Sequence, residues 1–255
     1  MAHEIDYEIR GDDMQAVLVT LDNGEAVLAE AGAMLYMEDG VAMDTSTQGG
    51  VWKGLKRAFV GESFFITTFG NTVRQRRTVA FAAPYPGKIL PIDLAAEGTY
   101  LCQKDAFLCS AHGIDISVAL TKRLGTGLFG GEGFILQKLS GDGLVFVHAG
   151  GSLIERELGP AEILRVDTGC LVAFQERVDY DIQFVGGFKN ALFGGEGLFL
   201  AKLKGPGKVF LQTLPFSRLV DRIAAVGRFG KGNVGEHRGV GGLGGRIFKD
   251  LISGD

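Results

Sequence analysis

Phe193-Gly194-Gly195-Glu196-Gly197-Leu198-Phe199-Leu200 has a close copy, Phe-Gly-Gly-Glu-Gly-Phe-Ile-Leu, at residues 129–136. A looser third copy, Phe-Val-Gly-Glu-Ser-Phe-Phe-Ile, occupies residues 59–66. Self-similarity at a regular spacing indicates a chain built from a repeated structural unit. The segment therefore predicts a fold made of three related units.

The similarity extends well outside the glycine-rich segments. Four sets of positions align without gaps: Val27, Tyr100 and Leu164; Ala33, Ala106 and Cys170; Leu35, Leu108 and Val172; and Val41, Ile114 and Val178. The spacing is 73 and then 64 residues in every set, and the first spacing falls to 70 at the Gly-Glu pair. We therefore place repeat one at 1–85, repeat two at 86–149, repeat three at 150–214 and a tail at 215–255.

Each repeat is patterned as short strands. Residues 114–118 and 178–182 alternate apolar and polar side chains, which is typical of a sheet with one buried face. Residues 16–21 predict a strand that ends at Asn23-Gly24, a strong hairpin signal. Further hairpins are expected at 70–71, 141–143 and 205–207. The predicted fold class is all-β, with three tandem β-sandwich repeats.

The tail carries the helical pattern. Ser217 is placed to cap a helix over 218–226, with Gly227 as its predicted end. A glycine-rich run follows at 227–245, and a last short helix is expected at 245–252.

Composition excludes several classes of protein. The net charge of −4 gives no global basic character, which argues against nucleic acid as a partner. Glycine is abundant, with 40 residues, and indicates many tight turns. The three cysteines lack a Cys-x-x-Cys spacing and indicate reduced thiols. With no signal-peptide pattern and no long apolar run, the expected location is the cytoplasm.

The repeated glutamates are the most conspicuous candidate site. Glu62, Glu132 and Glu196 recur at one repeat position, next to glycines that include Gly131, Gly133, Gly195 and Gly197. They could form a ring of carboxylates that binds a cation or a basic partner. The interpretation that we favour is structural, because each carboxylate can accept bonds from nearby backbone N–H groups.

A candidate basic patch comprises Arg74, Arg76 and Arg77, extended by Lys53, Lys56 and Arg57. It could bind RNA or acidic lipid, or it could be a solvated turn, which is the favoured alternative. Met34, Met37 and Met43 are expected to fill the core.

No catalytic, cofactor or metal residues are predicted. Residues 125–130 match Gly-x-Gly-x-x-Gly, but a strand pattern follows where a dinucleotide site needs a helix. Residues 239–244 match the same pattern without a preceding strand. The four histidines are scattered, and no nucleophile elbow is present. The chain is therefore expected to be a non-enzymatic protein without cofactors.

The paired Phe-Gly-Gly-Glu-Gly segments, the Gly-Glu-Ser-Phe-Phe at 61–65 and the glycine-rich tail resemble a widespread family of unknown function. That family is related to the altered-inheritance-of-mitochondria protein 24. The resemblance implies three copies of a small β-unit similar to the subunit of the tryptophan RNA-binding attenuation protein (TRAP). It also implies self-association, with a trimer giving a ring of nine units. No catalytic residues carry over.

The resemblance leaves three roles open. The first is a scaffold or binding protein that assembles into a ring-like oligomer. The second is a small-ligand or RNA-binding ring, by analogy with the attenuation protein. The third is a membrane-associated organising protein, with an unknown protein or a membrane surface as its partner.

Overall fold

The computed structural model describes residues 1–30, 32–44, 66–122, 134–185 and 198–229. The chain divides into two compact units, Met1–Ser217 and Arg218–Asp255. The described part of the first unit is built of antiparallel strands, as the sequence predicts, and the all-β class is confirmed.

Nineteen strands lie in the described residues of the first unit. In chain order they are β1 Asp6–Arg10, β2 Ala16–Leu21, β3 Ala26–Glu30, β4 Met34–Met37, β5 Val41–Asp44, β6 Ile66–Asn71, β7 Arg77–Ala82, β8 Gly87–Asp93, β9 Tyr100–Gln103, β10 Phe107–Ala111, β11 Asp115–Lys122, β12 Phe134–Ser140, β13 Leu144–Gly150, β14 Leu153–Leu158, β15 Ile163–Asp167, β16 Leu171–Gln175, β17 Asp179–Val185, β18 Leu198–Lys204 and β19 Gly207–Gln212.

Two α-helices and two short 3-10 helices, Lys104–Ala106 and Thr168–Cys170, complete the described elements. Helix α1 covers Leu94–Glu97, a single turn between β8 and β9 that the sequence pattern did not reveal. Helix α2 covers Phe216–Phe229. The predicted tail helix is therefore present, but it begins at Phe216, so Ser217 is not its cap, and Gly227 does not end it. The expected helix at 245–252 lies outside the described residues.

The strands form four sheets. Their orders are β1-β2-β7-β4, β5-β6-β3-β10-β13-β8, β11-β12-β9-β16-β19-β14 and β15-β18-β17. Two ladders of three strands recur within these orders. The first pattern is β2-β7-β4, β8-β13-β10 and β14-β19-β16, and the second is β5-β6-β3, β11-β12-β9 and β17-β18-β15.

Each six-stranded sheet joins one ladder of each kind. Strand β3 pairs with β10 in the second sheet, and β9 pairs with β16 in the third. One sheet is thereby shared by two consecutive sets of six strands. The backbone N–H and C=O groups at those two edges are satisfied by the next part of the chain.

A register shift also recurs in the first kind of ladder. It falls at Leu35 in the pairing of β4 with β7, at Leu108 for β10 with β13, and at Val172 for β16 with β19. These three residues are one of the aligned sets from the sequence. A bulge leaves one residue without an opposite partner and bends its strand. Its recurrence supports a three-copy architecture, whose boundaries stay a prediction.

The predicted hairpins are wrong in their connectivity. Strands β2 and β3, which flank Asn23-Gly24, belong to different sheets, and only Gly24 of the pair has a positive φ. The turns between β6 and β7, β12 and β13, and β18 and β19 likewise lead from one sheet to another. The reason is that each apolar face must be covered by a second layer, so the chain changes layers at these turns.

The core lies between these layers. Its largest fully buried side chains include Tyr100, Phe81, Phe107, Phe134, Phe146 and Phe174. One apolar cluster contains residues from the first two sets of strands together with Val172, Ala173 and Phe210 of the third. The sets therefore share a hydrophobic core as well as backbone pairing.

Phe146 provides a test of this core. Its side chain is fully buried in β13, and its ring meets the Tyr7 ring edge-on with centroids 4.9 Å apart. Truncation leaves a cavity, so we expect Phe146→Ala to lower the free energy of unfolding by about 3–5 kcal/mol. Denaturant unfolding measures this loss. The exposed Ile154 supplies the control, because Ile154→Ala should change stability by less than about 0.5 kcal/mol.

Candidate functional site

The candidate site is a pair of strand edges, at the two ends of this series of sheets, that no other described strand covers. Strand β4 is the last strand of the first sheet, and β15 is the first strand of the fourth sheet. The strands at matching places in the chain are inside six-stranded sheets. A free edge presents a row of unpaired backbone donors and acceptors to other chains.

The β4 edge is apolar and exposed. The exposed fractions are 38% for Met34, 59% for Leu35, 41% for Tyr36 and 39% for Met37. The five residues of β10 and the five residues of β16 are all buried. Leu108 and Val172, which align with Leu35, are at most 2% exposed. The same position of the repeated pattern is thus buried in β10 and β16 and exposed in β4.

The β15 edge shows the same contrast. Ile163 and Arg165 are exposed and Leu164 is half-buried, whereas Val166 is buried. The matching strands β3 and β9 are buried over nearly their whole length. They are covered because β10 and β16 pair with them.

Local hydrogen bonds hold the end of β4 in the geometry of its counterpart β16. Glu38 follows β4, and its Oε2 accepts a bond of 2.8 Å from the Thr78 backbone N–H. Gln175 ends β16, and its Oε1 accepts a bond of 3.0 Å from the Lys208 backbone N–H. Glu38 and Gln175 are three residues past the aligned bulges Leu35 and Val172. The exposed edge is therefore built like the buried one.

The expectation that Met34, Met37 and Met43 fill the core is wrong, because all three side chains are exposed. Their apolar character resembles that of core strands, but among the described strands only β7 lies beside β4, and its other edge has no described neighbour. The sequence signal for this edge was present in the alignment of Leu35 with Leu108 and Val172. That alignment could not show which of the three strands has a described neighbour on one side only.

The repeated glutamates and their neighbouring glycines lie outside the described residues, as do the glycine patterns at 125–130 and 239–244. These residues are Glu62, Glu132, Glu196, Gly131, Gly133, Gly195 and Gly197. Their interpretation as structural residues stays a prediction. The strands that follow them, β6, β12 and β18, are central in their ladders.

The candidate basic patch is partly neutralised by its neighbours. Arg76 forms ion pairs with Asp6 and with Asp22. Arg77 donates through Nε to the Asp39 carbonyl over 2.7 Å. Arg74 is exposed, while Lys53, Lys56 and Arg57 lie outside the described residues. The described geometry therefore favours the solvated-turn alternative, and polyanion binding stays a prediction.

Buried titratable groups gather where β3, β9 and β13 end. Burial raises the pKa of Glu30 to about 7, and the nearby Asp105 adds to the effect while Lys104 opposes it. Burial also raises the pKa of Tyr85 to about 12. Burial raises the pKa of the Cys102 thiol as well, so this cysteine is not a thiolate near neutral pH.

His148 is the buried histidine of this region. Its ring meets Tyr85 at right angles with centroids 4.6 Å apart, and its Nδ1 has no hydrogen-bond partner. Burial lowers the pKa of His148 to about 4, although a backbone hydrogen bond with Tyr85 opposes the shift. A neutral imidazole in this setting is a packing group.

Among the residues that the structure describes, no group of three or more histidine, cysteine or acidic side chains could hold a metal ion. Within the same ranges, no helix combines the length and apolar character needed to cross a membrane.

His148 should make the protein sensitive to acid. An unfolded histidine titrates near pH 6.5, so between pH 6.5 and 4 the unfolded chain binds more protons than the folded chain. The contribution of His148 to stability is full above pH 6.5 and declines as pH falls towards 4. We expect His148→Gln to reduce the fall in Tm between pH 7 and pH 5, as measured by circular dichroism.

Glutamine suits this position because Gln212 occupies the matching place in β19, where it bonds the Gly150 N–H and the Gly169 carbonyl. His112→Gln is the matched control. The His112 side chain is exposed, so His112→Gln should keep more of the acid sensitivity than His148→Gln does. An equal fall in Tm between pH 7 and pH 5 for the His148 variant and the unmodified protein would contradict the role of His148 in acid sensitivity.

Comparison with known proteins identifies relatives of the whole β-region. The family model described as "Mitochondrial biogenesis AIM24" matches residues 7–214. An uncharacterised protein of Streptococcus pyogenes serotype M6 is 28% identical over 206 residues, which cover 78% of this chain and 81% of that protein. A crystal structure of a Streptococcus pyogenes protein superposes with a TM-score of 0.72 at 24% identity, covering 88% of this chain and 100% of that one. This last likeness concerns the fold alone.

Proposed function

The chain belongs to the AIM24 family, and on that premise we propose that it is a non-enzymatic scaffold that assembles with copies of itself into a ring-like oligomer. The observation that carries the proposal is the exposed apolar β4 edge, whose counterparts β10 and β16 are buried. Exposed apolar surface of this kind is typical of an interaction site.

The assembly that we propose is a homotrimer. Each chain would contribute three TRAP-like units bounded at 1–85, 86–149 and 150–214, and three chains would give a ring of nine. The recurring ladders and the recurring bulge support the three-unit count. Function would then lie in the surfaces and the opening that the ring creates, and the proposed location is the cytoplasm.

Leu35 is the position for a test of assembly. It is 59% exposed at the bulge of β4, so Leu35→Glu should change the stability of a single chain by less than about 0.5 kcal/mol. A charge on the apolar edge should instead oppose assembly. We expect light scattering to give an oligomer for the unmodified protein and a lower mass, or a mass that falls on dilution, for the variant.

Met14→Glu is the matched control, because Met14 is also an exposed apolar residue and it forms a bridge with Gly87 of β8, outside the β4 strand. It should keep the mass of the unmodified protein. A monomeric unmodified protein, or equal masses for both variants and the unmodified protein, would contradict the proposal.

A membrane-associated organising role is the second candidate, and helix α2 is the observation in its favour. Val220 and Ile223 are exposed apolar residues one turn apart, and Arg222 lies next to them. Basic amphipathic helices bind anionic membrane surfaces. If α2 has this role, the protein should co-sediment with vesicles that contain phosphatidylserine, and Ile223→Glu should abolish this co-sedimentation.

The RNA-binding alternative draws no support from Arg76, which is already paired with acidic side chains.

A further inference from the structure

We propose that the β4 edge of one copy of this chain pairs with the β15 edge of a second copy, head to tail and in one defined register. This inference rests on the proposed self-assembly and names its contact. The described structure shows the two halves of such a contact, because β4 and β15 are terminal strands of separate sheets. The strands that match β4 are β10 and β16, and they pair with β3 and β9, the strands that match β15.

The pairing rule comes from the two junctions within the chain. In the first junction Ala29 lies opposite Cys109 and Leu28 lies opposite Ser110. In the second junction Cys102 lies opposite Ala173 and Leu101 lies opposite Phe174. Both ladders are antiparallel.

The sequence alignment shows that the two junctions have the same register. Ala29 and Cys102 are both two residues past the aligned pair Val27 and Tyr100. Cys109 and Ala173 both directly follow the aligned bulges Leu108 and Val172. The chain therefore uses one pairing geometry twice, at matching positions.

Applying that geometry to the free edges gives a third junction. Val166 is two residues past Leu164, and Tyr36 directly follows the bulge at Leu35. The predicted pairs are thus Tyr36 with Val166, Met37 with Arg165 and Glu38 with Leu164 of the second copy. These contacts would cover the exposed side chains of β4 and β15 as those of β10 and β3 are covered.

The two surfaces differ in chemistry, which favours a head-to-tail contact over a contact between two identical edges. Strand β4 reads Met-Leu-Tyr-Met and carries no charge, whereas β15 carries Arg165 at its centre. The long aliphatic stem of an arginine can lie along an apolar side chain while its charged end stays in water. Pairing Arg165 with Met37 places these two groups opposite each other. A head-to-tail contact that repeats from copy to copy generates a closed ring or a filament.

Disulfide trapping tests the register. Directly opposite residues in an antiparallel ladder lie about 4.5–5.5 Å apart between Cα atoms, which a disulfide can span. Two double variants are needed, Met37→Cys with Arg165→Cys and Tyr36→Cys with Val166→Cys, because hydrogen-bonded and non-hydrogen-bonded pairs alternate. We expect at least one of them to give covalent multimers on a non-reducing gel after mild oxidation, which reductant returns to monomer.

The controls separate this contact from other arrangements. Each single cysteine variant should stay monomeric on the same gel, as should Met37→Cys combined with Ile154→Cys, which places the second thiol on exposed β14. Because Cys170 is a partly exposed native thiol, all variants carry Cys170→Ser. Multimers from Met37→Cys alone in that background would show two β4 edges in contact and overturn the proposal. A cross-link confined within one chain would also overturn it.

Light scattering on the same samples distinguishes the two levels of inference. If the unmodified protein is an oligomer but neither double variant cross-links, the β4–β15 contact is wrong and self-assembly stands. If the unmodified protein is a monomer at all concentrations tested, the self-assembly on which this contact rests is wrong as well.

Discussion

The backbone pairing of β3 with β10 and of β9 with β16 is the constraint on which the rest of the structure depends. Each pairing merges a ladder of one set of strands with a ladder of the next, so that neither set has a free edge at the junction. The hydrophobic core follows the same path, because Val172, Ala173 and Phe210 pack with residues from the earlier strands. Breaking either junction would expose both unpaired backbone groups and apolar side chains.

That constraint also explains the surface that we interpret as functional. Among the described strands, the series of sheets joined in this way begins and ends with an edge that no further strand covers. In this chain the first edge is β4, which is apolar, and the last is β15, which contains Arg165. Most proteins protect exposed edges with charges, prolines or a covering element. An apolar edge held in the geometry of a buried strand is the observation behind our proposal of a partner.

The amino-acid pattern predicted much of the local structure. The alternation at 114–118 and 178–182 corresponds to β11 and β17, and the tail helix is present as α2. The pattern did not predict how the strands connect. Asn23-Gly24 looked like a hairpin, yet it leads from one sheet to another, because a local turn signal carries no information about the layer that the next strand joins. The repeated glutamates Glu62, Glu132 and Glu196 lie outside the described residues.

By itself, the sequence determined that the chain folds as short β-strands, because side-chain alternation and turn glycines act over only a few residues. Its internal alignment also identified Leu35, Leu108 and Val172 as one position. Only the tertiary structure decided that Leu35 is exposed while the other two are buried. Backbone donors and acceptors are the same in every strand, so burial of an apolar strand depends on whether another strand lies beside it. That neighbour is set by the arrangement of the whole chain, and among the described strands only β7 lies beside β4.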